Sequence, residues 1–349
     1  MKLVAEGQPL ELATSLKTPL IEDGEALVKV DYAGVCHTDL HFIEGSYNLG
    51  NGRKLATGLQ LPVTLGHEIA GKVDEISTSA KVRKGDRVVV YPWIGCGSCR
   101  KCLNGMENLC EGRPKFLGVF MDGGYSDYVV VPNVRYLVSA EGIDPKQTAP
   151  LACSGLTAYS SVVKCDLKPE DLLLIIGAGG LGSMATQIAK KVTHARVAVI
   201  DVDDVKLELA QDLGADYVFN SIKLEERELA KELRGISSVG RGVDGVIDFV
   251  GTPSTSSIGF RVLGKDSRLV LVGLAGGLAE FPLPLFALRG VQVIGNFTGT
   301  LSDLVELVEL AKKGLIIPVV SGVYPLEDAN LALDKLRHGE VKGRVMLEP

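Results

Sequence analysis

The sequence lacks the features that would place the protein in a membrane or on a nucleic acid. No apolar run approaches the roughly 20 residues that a membrane-spanning helix needs. Lys and Arg (37) are outnumbered by Asp and Glu (43), so the net charge of −6 argues against a phosphate-binding basic surface. The first residues show no apolar core followed by a small-residue cleavage site, so we expect no secretory signal and a cytoplasmic location.

Histidine (5) and cysteine (7) are scarce in the 349 residues, but four cysteines are clustered. CGSCRKCLNGMENLC places Cys96, Cys99, Cys102 and Cys110 in a C-x2-C-x2-C-x7-C run. In a reducing compartment, clustered cysteines favour metal ligands over disulfides. Four thiolates predict a closed, tetrahedral and therefore structural zinc site. Disulfides and an iron–sulfur cluster are the alternatives.

The first ~150 residues are predicted to be mostly β, barrel-like, with long loops. Val28, Val30 and Tyr32 alternate with charged residues, which is typical of a half-buried strand. The stretch 46–60 is rich in glycine and asparagine and longer than most connections, so we expect a loop. Similar short strands, punctuated by Gly, Pro and Asp, are predicted at 71–76, 86–91 and 125–131.

After Pro150 the pattern changes to apolar strands alternating with helices, which predicts a parallel sheet covered on both faces. The predicted strands are 171–176, 196–200, 217–219, 245–250, 268–273 and 291–295. Helices are predicted at 181–192, 203–215 and 301–313. The fold class is therefore α/β, with a doubly wound sheet after a β-rich region.

The segment GAGGLG carries the G-x-G-x-x-G arrangement in Gly177, Gly179 and Gly182. It follows a predicted strand, and Gly180 and Leu181 open the next helix, which is the context that this motif requires. The glycines let the backbone approach a pyrophosphate, and the helix N-terminus offers it free N–H groups. A tight strand–helix turn without a ligand is the alternative.

A carboxylate follows at the position that selects the dinucleotide. Asp201 ends the next predicted strand, where it can accept hydrogen bonds from an adenosine ribose and would repel a 2′-phosphate. Lys206 is a further candidate for contact with the ribose. NAD is therefore favoured over NADP.

The remaining candidate ligands lie in GVCHTDLH, GHE and LACSG, around Cys36, His67 and Cys153. Each alone says little, because a lone cysteine is usually core packing. In this order, with the cysteine run, GAGGLG and a terminal GRV, they resemble the zinc-dependent medium-chain alcohol dehydrogenases over essentially the whole chain. That resemblance implies a Rossmann doubly wound parallel sheet inserted into a GroES-like β-barrel catalytic domain. The implied boundaries are 1–154, 155–296 and 297–349.

The resemblance also implies roles for individual residues. Cys36, His67 and Cys153 would bind a catalytic zinc with one open position, Asp39 would hold His67, and Glu68 would approach the metal during ligand exchange. The remaining roles are a substrate hydroxyl partner at Thr38, a proton exit at His41, pyrophosphate contacts at His37 and Arg344, and a nicotinamide neighbour at Thr157.

The expected reaction is hydride transfer between an alcohol and NAD, giving an aldehyde or ketone. One catalytic and one structural zinc per chain are expected, with a small-molecule substrate, no nucleic-acid or membrane partner, and a homotetramer. A sugar or polyol dehydrogenase of the same superfamily is the alternative, although polyol enzymes usually carry a glutamate where Cys153 stands. A zinc-stabilised, non-catalytic dinucleotide-binding protein is the alternative from another class.

Overall fold

A computed structural model describes residues 1–14, 17–78, 81–237 and 241–349. Within these ranges the strands are β1 (Lys2–Leu3), β2 (Ala26–Gly34), β3 (Ser46–Gly50), β4 (Arg53–Ala56), β5 (Val63–Thr64), β6 (Glu68–Ile76), β7 (Arg87–Val90), β8 (Tyr128–Val131), β9 (Leu137–Ser139), β10 (Leu172–Ile176), β11 (Arg196–Asp201), β12 (Tyr217–Asn220), β13 (Val243–Asp248), β14 (Leu263–Leu271), β15 (Gln292–Gly295), β16 (Val320–Pro325) and β17 (Arg344–Glu348).

The α-helices in the same ranges are α1 (His37–Glu44), α2 (Arg100–Leu103), α3 (Pro145–Thr148), α4 (Ser154–Cys165), α5 (Gly180–Ile188), α6 (Asp204–Asp212), α7 (Glu226–Gly235), α8 (Pro253–Val262), α9 (Leu283–Arg289), α10 (Leu301–Lys312) and α11 (Ala329–Arg337). A π-helical turn continues α5 over Ala189–Thr193. Short 3₁₀ turns cover Glu107–Leu109, Val134–Tyr136, Ala149–Ala152 and Leu326–Asp328.

The first of two compact units comprises Met1–Ser46, Ala56–Leu156 and Gly299–Pro349. Its main sheet has the order β16-β17-β2-β6-β7-β9, with β8 also paired to β2. All of these pairs are antiparallel except β16 with β17. Gly34 at the end of β2 pairs with Glu68 at the start of β6, which brings Cys36 and His67 to the same end of the sheet.

The second unit comprises Tyr47–Leu55 and Thr157–Thr298. Its six strands are all parallel, in the order β12-β11-β10-β13-β14-β15. The central strand β10 is buried along its whole length because helices cover both faces of such a sheet. The order reverses between β10 and β13, and the carboxyl ends of the strands at that switch form the ligand crevice of doubly wound folds. The predicted fold class is confirmed.

Several predicted bounds differ in the structure. The strand predicted at 125–131, for example, covers Tyr128–Val131. The stretch 46–60, predicted to be a loop, contains the β3–β4 hairpin, and residues 47–55 of it belong to the second unit. Strand β14 begins at Leu263, five residues before the predicted start at 268, because Val243 of β13 already pairs with Leu263. Among the described residues, no helix combines the length and apolarity that crossing a bilayer requires.

Candidate active site and metal centres

The four-cysteine loop gathers its sulfur atoms in one place. The ligand atoms of Cys96, Cys99, Cys102 and Cys110 all lie within 4.8 Å of one another, and the cysteines are free thiols. The Cys99 and Cys102 sulfurs are 3.4 Å apart, and those of Cys96 and Cys102 are 3.9 Å apart. A tetrahedral zinc with Zn–S bonds of about 2.3 Å needs sulfurs roughly 3.8 Å apart. The loop therefore fits a tetrathiolate zinc site.

The backbone around these cysteines also suits thiolates. The N–H groups of Cys96 and Gly112 donate to the Cys110 sulfur at 3.2 and 3.3 Å, and that of Cys99 donates to Cys96 at 3.3 Å. A Cβ at Gly112 would lie 2.8 Å from the Cys96 sulfur, so a side chain would displace that ligand. Hydrogen bonds from Ser98 and from the Cys99 N–H lower the pKa of Cys96 to about 5, which favours the thiolate form that binds zinc. Burial raises the pKa of Cys102 to about 12, and a bound zinc ion would deprotonate this thiol as well.

A second donor set is formed by Cys36, His67 and Cys153. Their ligand atoms lie within 4.8 Å of one another, and all three residues are buried. Cys36 precedes α1, His67 precedes β6 and Cys153 precedes α4, so three separate elements meet here. His67 Nε2 has no hydrogen-bond partner among the described residues. A buried imidazole nitrogen without a partner is costly, and a metal ion would satisfy it.

The pKa values of the two buried thiols, Cys36 and Cys153, are shifted in opposite directions. The hydrogen bond from Cys153 lowers the pKa of Cys36 well below its usual value, and the same bond, with burial, raises the pKa of Cys153. A divalent cation bound here would deprotonate both, since thiolates are the metal ligands. Two sulfurs and one nitrogen leave a fourth tetrahedral position, as in a catalytic zinc site.

A fixed carboxylate orients the histidine. Asp39 is fully buried in α1, and its Oδ1 lies 3.3 Å from His67 Nδ1. Burial would lower the pKa of His67, but the Asp39 charge outweighs it and raises that pKa well above its usual value. A carboxylate on the far nitrogen fixes the ring so that Nε2 faces the metal. The structure thus places Asp39 beside His67, and its role in holding a metal-bound histidine stays a prediction.

Glu68 and Arg344 are both buried beside the same site. Glu68 Oε1 accepts a hydrogen bond from the Ser154 N–H at 3.1 Å and lies 3.4 Å from Arg344 Nη2. Burial raises the pKa of Glu68 to about 7, although Arg344 opposes the shift. Arg344 Nη1 also donates to the Val35 carbonyl at 3.2 Å. In this structure Arg344 is therefore a partner of Glu68, and its predicted pyrophosphate contact stays a prediction.

The remaining residues of GVCHTDLH lie at the start of α1. The Cys36 thiol donates to Thr38 Oγ1 at 3.6 Å, so the hydroxyl lies next to a candidate ligand. His41 Nδ1 lies 3.8 Å from Glu44 Oε2, and the His37 side chain is exposed in the first turn. Thr38 is therefore next to the candidate metal site, whereas His41 is one turn further along the helix.

The glycine motif has the backbone that a dinucleotide requires. Gly177 has φ +97°, and a Cβ at Gly182 would lie 1.9 Å from the Gly177 carbonyl oxygen, so neither position tolerates a side chain. Helix α5 begins at Gly180, with Leu181 in its first turn, and Gly179 provides no side-chain cap. The free N–H groups of this helix end are available to an anion.

Asp201 lies at the carboxyl end of β11 and is held by three backbone groups. Its Oδ2 accepts from the Ala178 N–H at 2.6 Å, and its Oδ1 accepts from the N–H groups of Val202 and Asp203 at 2.7 and 3.0 Å. A cavity of about 350 Å³ opens beside it, lined by Gly177, Asp201 and apolar side chains such as Ile258. The cavity lies at the topological switch of the sheet, where nucleotides bind in this fold class.

The other predicted cofactor residues lie in the second unit. Lys206 lies in α6, and its Nζ is 3.9 Å from Oδ2 of Asp203, the N-cap residue of that helix. Thr157 is buried in α4, and its carbonyl accepts from Asn296 Nδ2 at 3.2 Å and from Ser161 Oγ at 2.6 Å. Contact of either residue with NAD stays a prediction.

Sequence reasoning missed Tyr125, whose hydroxyl donates to Asp39 Oδ2 at 2.8 Å. Trp93 also lies beside the site: its ring is 5.3 Å from the His67 ring, and its Nε1 donates to the Ala152 carbonyl at 3.3 Å. Tyr125 follows two glycines in DGGYSDY, and this sequence pattern does not specify which residue the tyrosine contacts.

A doubly wound dinucleotide-type unit, joined in one chain to a β-rich unit with two zinc-type donor sets, defines a medium-chain dehydrogenase. The family model of the alcohol dehydrogenase GroES-like domain matches residues 22–141, and that of the zinc-binding dehydrogenases matches residues 180–313. The chain therefore belongs to the zinc-dependent medium-chain alcohol dehydrogenase family.

Full-length relatives agree with this assignment. An NAD-dependent alcohol dehydrogenase of Sulfurisphaera tokodaii is 42% identical over 352 residues, covering 100% of this chain and 99% of the relative. The crystal structure of an alcohol dehydrogenase from Aeropyrum pernix is 33% identical, with a TM-score of 0.87 and coverage of 100% and 99%. A D-arabinose dehydrogenase from Sulfolobus solfataricus is 29% identical, with a TM-score of 0.81 and coverage of 96% and 95%.

Proposed function

We propose that this protein is a zinc-dependent enzyme that transfers hydride between an alcohol and NAD, producing an aldehyde or ketone. The observation that carries the proposal is the buried set of Cys36, His67 and Cys153, whose donors converge and leave one tetrahedral position open. It occurs in a chain with an intact glycine motif and Asp201. The full-length similarity to NAD-dependent alcohol dehydrogenases supports the same reaction.

Zinc would supply Lewis acidity that makes the alcohol a stronger acid, and NAD would supply the hydride acceptor. Cys36, His67 and Cys153 would hold the metal, while Gly177, Gly179 and the N-terminus of α5, from Gly180 through Gly182, would bind the pyrophosphate. Asp201, with Lys206 nearby, would bind the adenosine ribose, and Thr157 and His37 would contact other parts of the cofactor. Glu68 would assist exchange of the metal's fourth ligand.

Proton release is assigned to the start of α1. Thr38 Oγ1 lies beside Cys36 and would accept the substrate's hydroxyl proton. His41 lies one turn further along and is partly exposed, so it would pass the proton to solvent. An imidazole suits this step because one ring nitrogen can accept a proton while the other donates one.

We propose one catalytic and one structural zinc per chain. The zinc-binding family assignment supports zinc over an iron–sulfur cluster in the four-cysteine loop. Seven free cysteines favour a reducing, cytoplasmic location, because oxidation would compete with metal binding at both sites.

A homotetramer is also proposed. Strand β15 is an open edge of the six-stranded sheet, and its neighbour α9 exposes Leu283 and Leu288, at 78% and 73%. Open edges and exposed apolar side chains favour association with another copy. Sedimentation measurements would decide between tetramer and dimer.

A sugar substrate is the second candidate, because the D-arabinose dehydrogenase shares the fold over 96% of this chain. A panel of primary and secondary alcohols, polyols and aldoses, assayed by NADH absorbance, separates the two. Turnover confined to polyols and sugars would replace the proposed alcohol substrate.

The decisive variant is Cys153→Ser, with Cys165→Ser as its matched control. Both cysteines are buried, but burial raises the pKa of Cys165 to about 12 against the opposing charge of Arg268, and Cys165 belongs to neither donor set. We expect Cys153→Ser to lose one metal and at least 10³-fold in turnover, an order of magnitude typical for loss of an essential catalytic element. Cys165→Ser should keep the wild-type metal content and the wild-type turnover. Unchanged turnover in Cys153→Ser would refute the catalytic metal site. A wild-type protein that turns over no substrate of the panel would support the non-catalytic dinucleotide-binding protein.

A further inference from the structure

Tyr125 approaches the metal site through the backbone that leads to His67. The Gly124 N–H donates to the Gly66 carbonyl at 2.7 Å, and the Tyr125 N–H donates to the Leu65 carbonyl at 3.0 Å. Gly66 has φ +93°, and a Cβ there would lie 2.4 Å from the Tyr125 ring. The ring therefore lies directly against the backbone next to His67, and only glycine permits this approach.

The Tyr125 hydroxyl contacts the Asp39 carboxylate, which lies beside His67 and Cys36. Both Tyr125 and Asp39 are completely buried, and the hydroxyl donates to Asp39 Oδ2 at 2.8 Å. The same Oδ2 accepts the Cys36 N–H at 3.0 Å, while Oδ1 faces His67 Nδ1 at 3.3 Å. One carboxylate thus contacts two of the three candidate metal ligands, and Tyr125 is a side chain that holds it.

We propose that Tyr125 is a positioning residue for the catalytic metal: its hydroxyl holds the Asp39 carboxylate in the orientation that directs His67 and Cys36 to the ion. The inference rests on the proposed function, since it requires a metal at Cys36, His67 and Cys153. Outer partners of metal ligands typically change metal affinity or activity by about 10–100-fold. A purely packing role would depend on the ring and not on the hydroxyl.

The test is Tyr125→Phe, which keeps the ring and removes the hydroxyl. Tyr91→Phe is the matched control, because Tyr91 is equally buried in the same unit and donates its hydroxyl to the Gly299 carbonyl at 2.9 Å. Loss of each metal from the holoenzyme to an excess of chromophoric chelator is followed at a temperature where circular dichroism shows every variant folded. The cobalt(II)-substituted proteins report the ligand geometry by their visible spectra.

We expect Tyr125→Phe to release one of its two metals about tenfold faster than wild type, with an altered cobalt spectrum. Release of the second metal should be unchanged, and Tyr91→Phe should release the metal at Cys36, His67 and Cys153 at the wild-type rate. In an Asp39→Asn background, Tyr125→Phe should have little further effect, because the two changes disrupt one contact.

Wild-type release rates and spectra in Tyr125→Phe would overturn the proposal, as would equal effects of Tyr125→Phe with and without the Asp39→Asn change. A wild-type protein that binds two metals but oxidises no alcohol would refute the proposed function and leave the Tyr125 comparison valid. A wild-type protein holding only the four-cysteine metal would refute both.

Discussion

At the residue scale, Asp201 combines a structural and a selective role. Its two oxygens already accept three backbone hydrogen bonds, one of them from Ala178 inside the glycine motif. The carboxylate therefore fixes the glycine loop relative to β11 and keeps its negative charge beside the cavity. That charge is the feature which would repel the 2′-phosphate of NADP.

Asp201→Asn should shift the preference from NAD toward NADP. We expect the ratio of kcat/KM for the two cofactors to move by about tenfold, which corresponds to about 1.4 kcal/mol. Asp203→Asn is the control, since it removes the same charge two residues away at the N-cap of α6. A ratio that moves equally in both variants would mean that general charge, and not Asp201, sets the preference.

At the element scale, the four-cysteine loop contains little regular structure and needs an anchor. Its 3₁₀ turn Glu107–Leu109 places the nearly buried Glu107 carboxylate 2.6 Å from Arg135 Nη2. Arg135 also donates to the Tyr136 hydroxyl at 2.6 Å, and the Tyr136 ring stacks on Tyr91 with centroids 6.0 Å apart. This ion pair therefore attaches the loop to the sheet and pairs the buried Glu107 carboxylate with a cation.

Arg135→Met should destabilise the loop, because it leaves the Glu107 carboxylate buried without its cation. An unsatisfied buried acceptor costs about 1–3 kcal/mol, and water reaching the half-exposed arginine position favours the lower end. Urea unfolding and the rate of zinc release from the loop are the measurements. Adding Glu107→Gln should recover much of the loss, since it removes the unpaired charge; failure to recover would show that the pair is not the anchor.

At the scale of the whole molecule, the residues proposed to bind metal and those proposed to bind the nucleotide belong to different units. The metal donors all belong to the first unit, whereas Gly177, Asp201 and the cavity beside them belong to the second. Since each unit has its own sheet, nucleotide binding should not require the metals.

Metal analysis should find two zinc ions per chain, and exhaustive chelation should abolish turnover while NADH still binds. NADH fluorescence measures binding, and the alcohol assay measures turnover in the same sample. One zinc or none in the native protein would refute the site assignment. Loss of NADH binding after chelation would show that the second unit depends on the metals.

The amino-acid sequence alone was sufficient to predict those features that depend on neighbouring residues in the chain. GAGGLG predicts its own turn, because the crowding between Gly177 and Gly182 arises within six residues. The spacing of the cysteine run likewise predicts one cluster, and apolar strands between helices predict a parallel sheet. Segment ends were less accurate, as at Leu263 and in the β3–β4 hairpin, because pairing partners extend or create strands that local pattern does not specify.

Tertiary structure alone decided which distant side chains meet. Cys36, His67 and Cys153 are far apart in the chain, and only family resemblance grouped them before the sheet register brought them together. No pattern indicated that Tyr125 would reach Asp39 or that Arg344 would pair with Glu68. The physical reason is that spacing specifies neighbours along one element, whereas buried polar contacts depend on how separate elements pack.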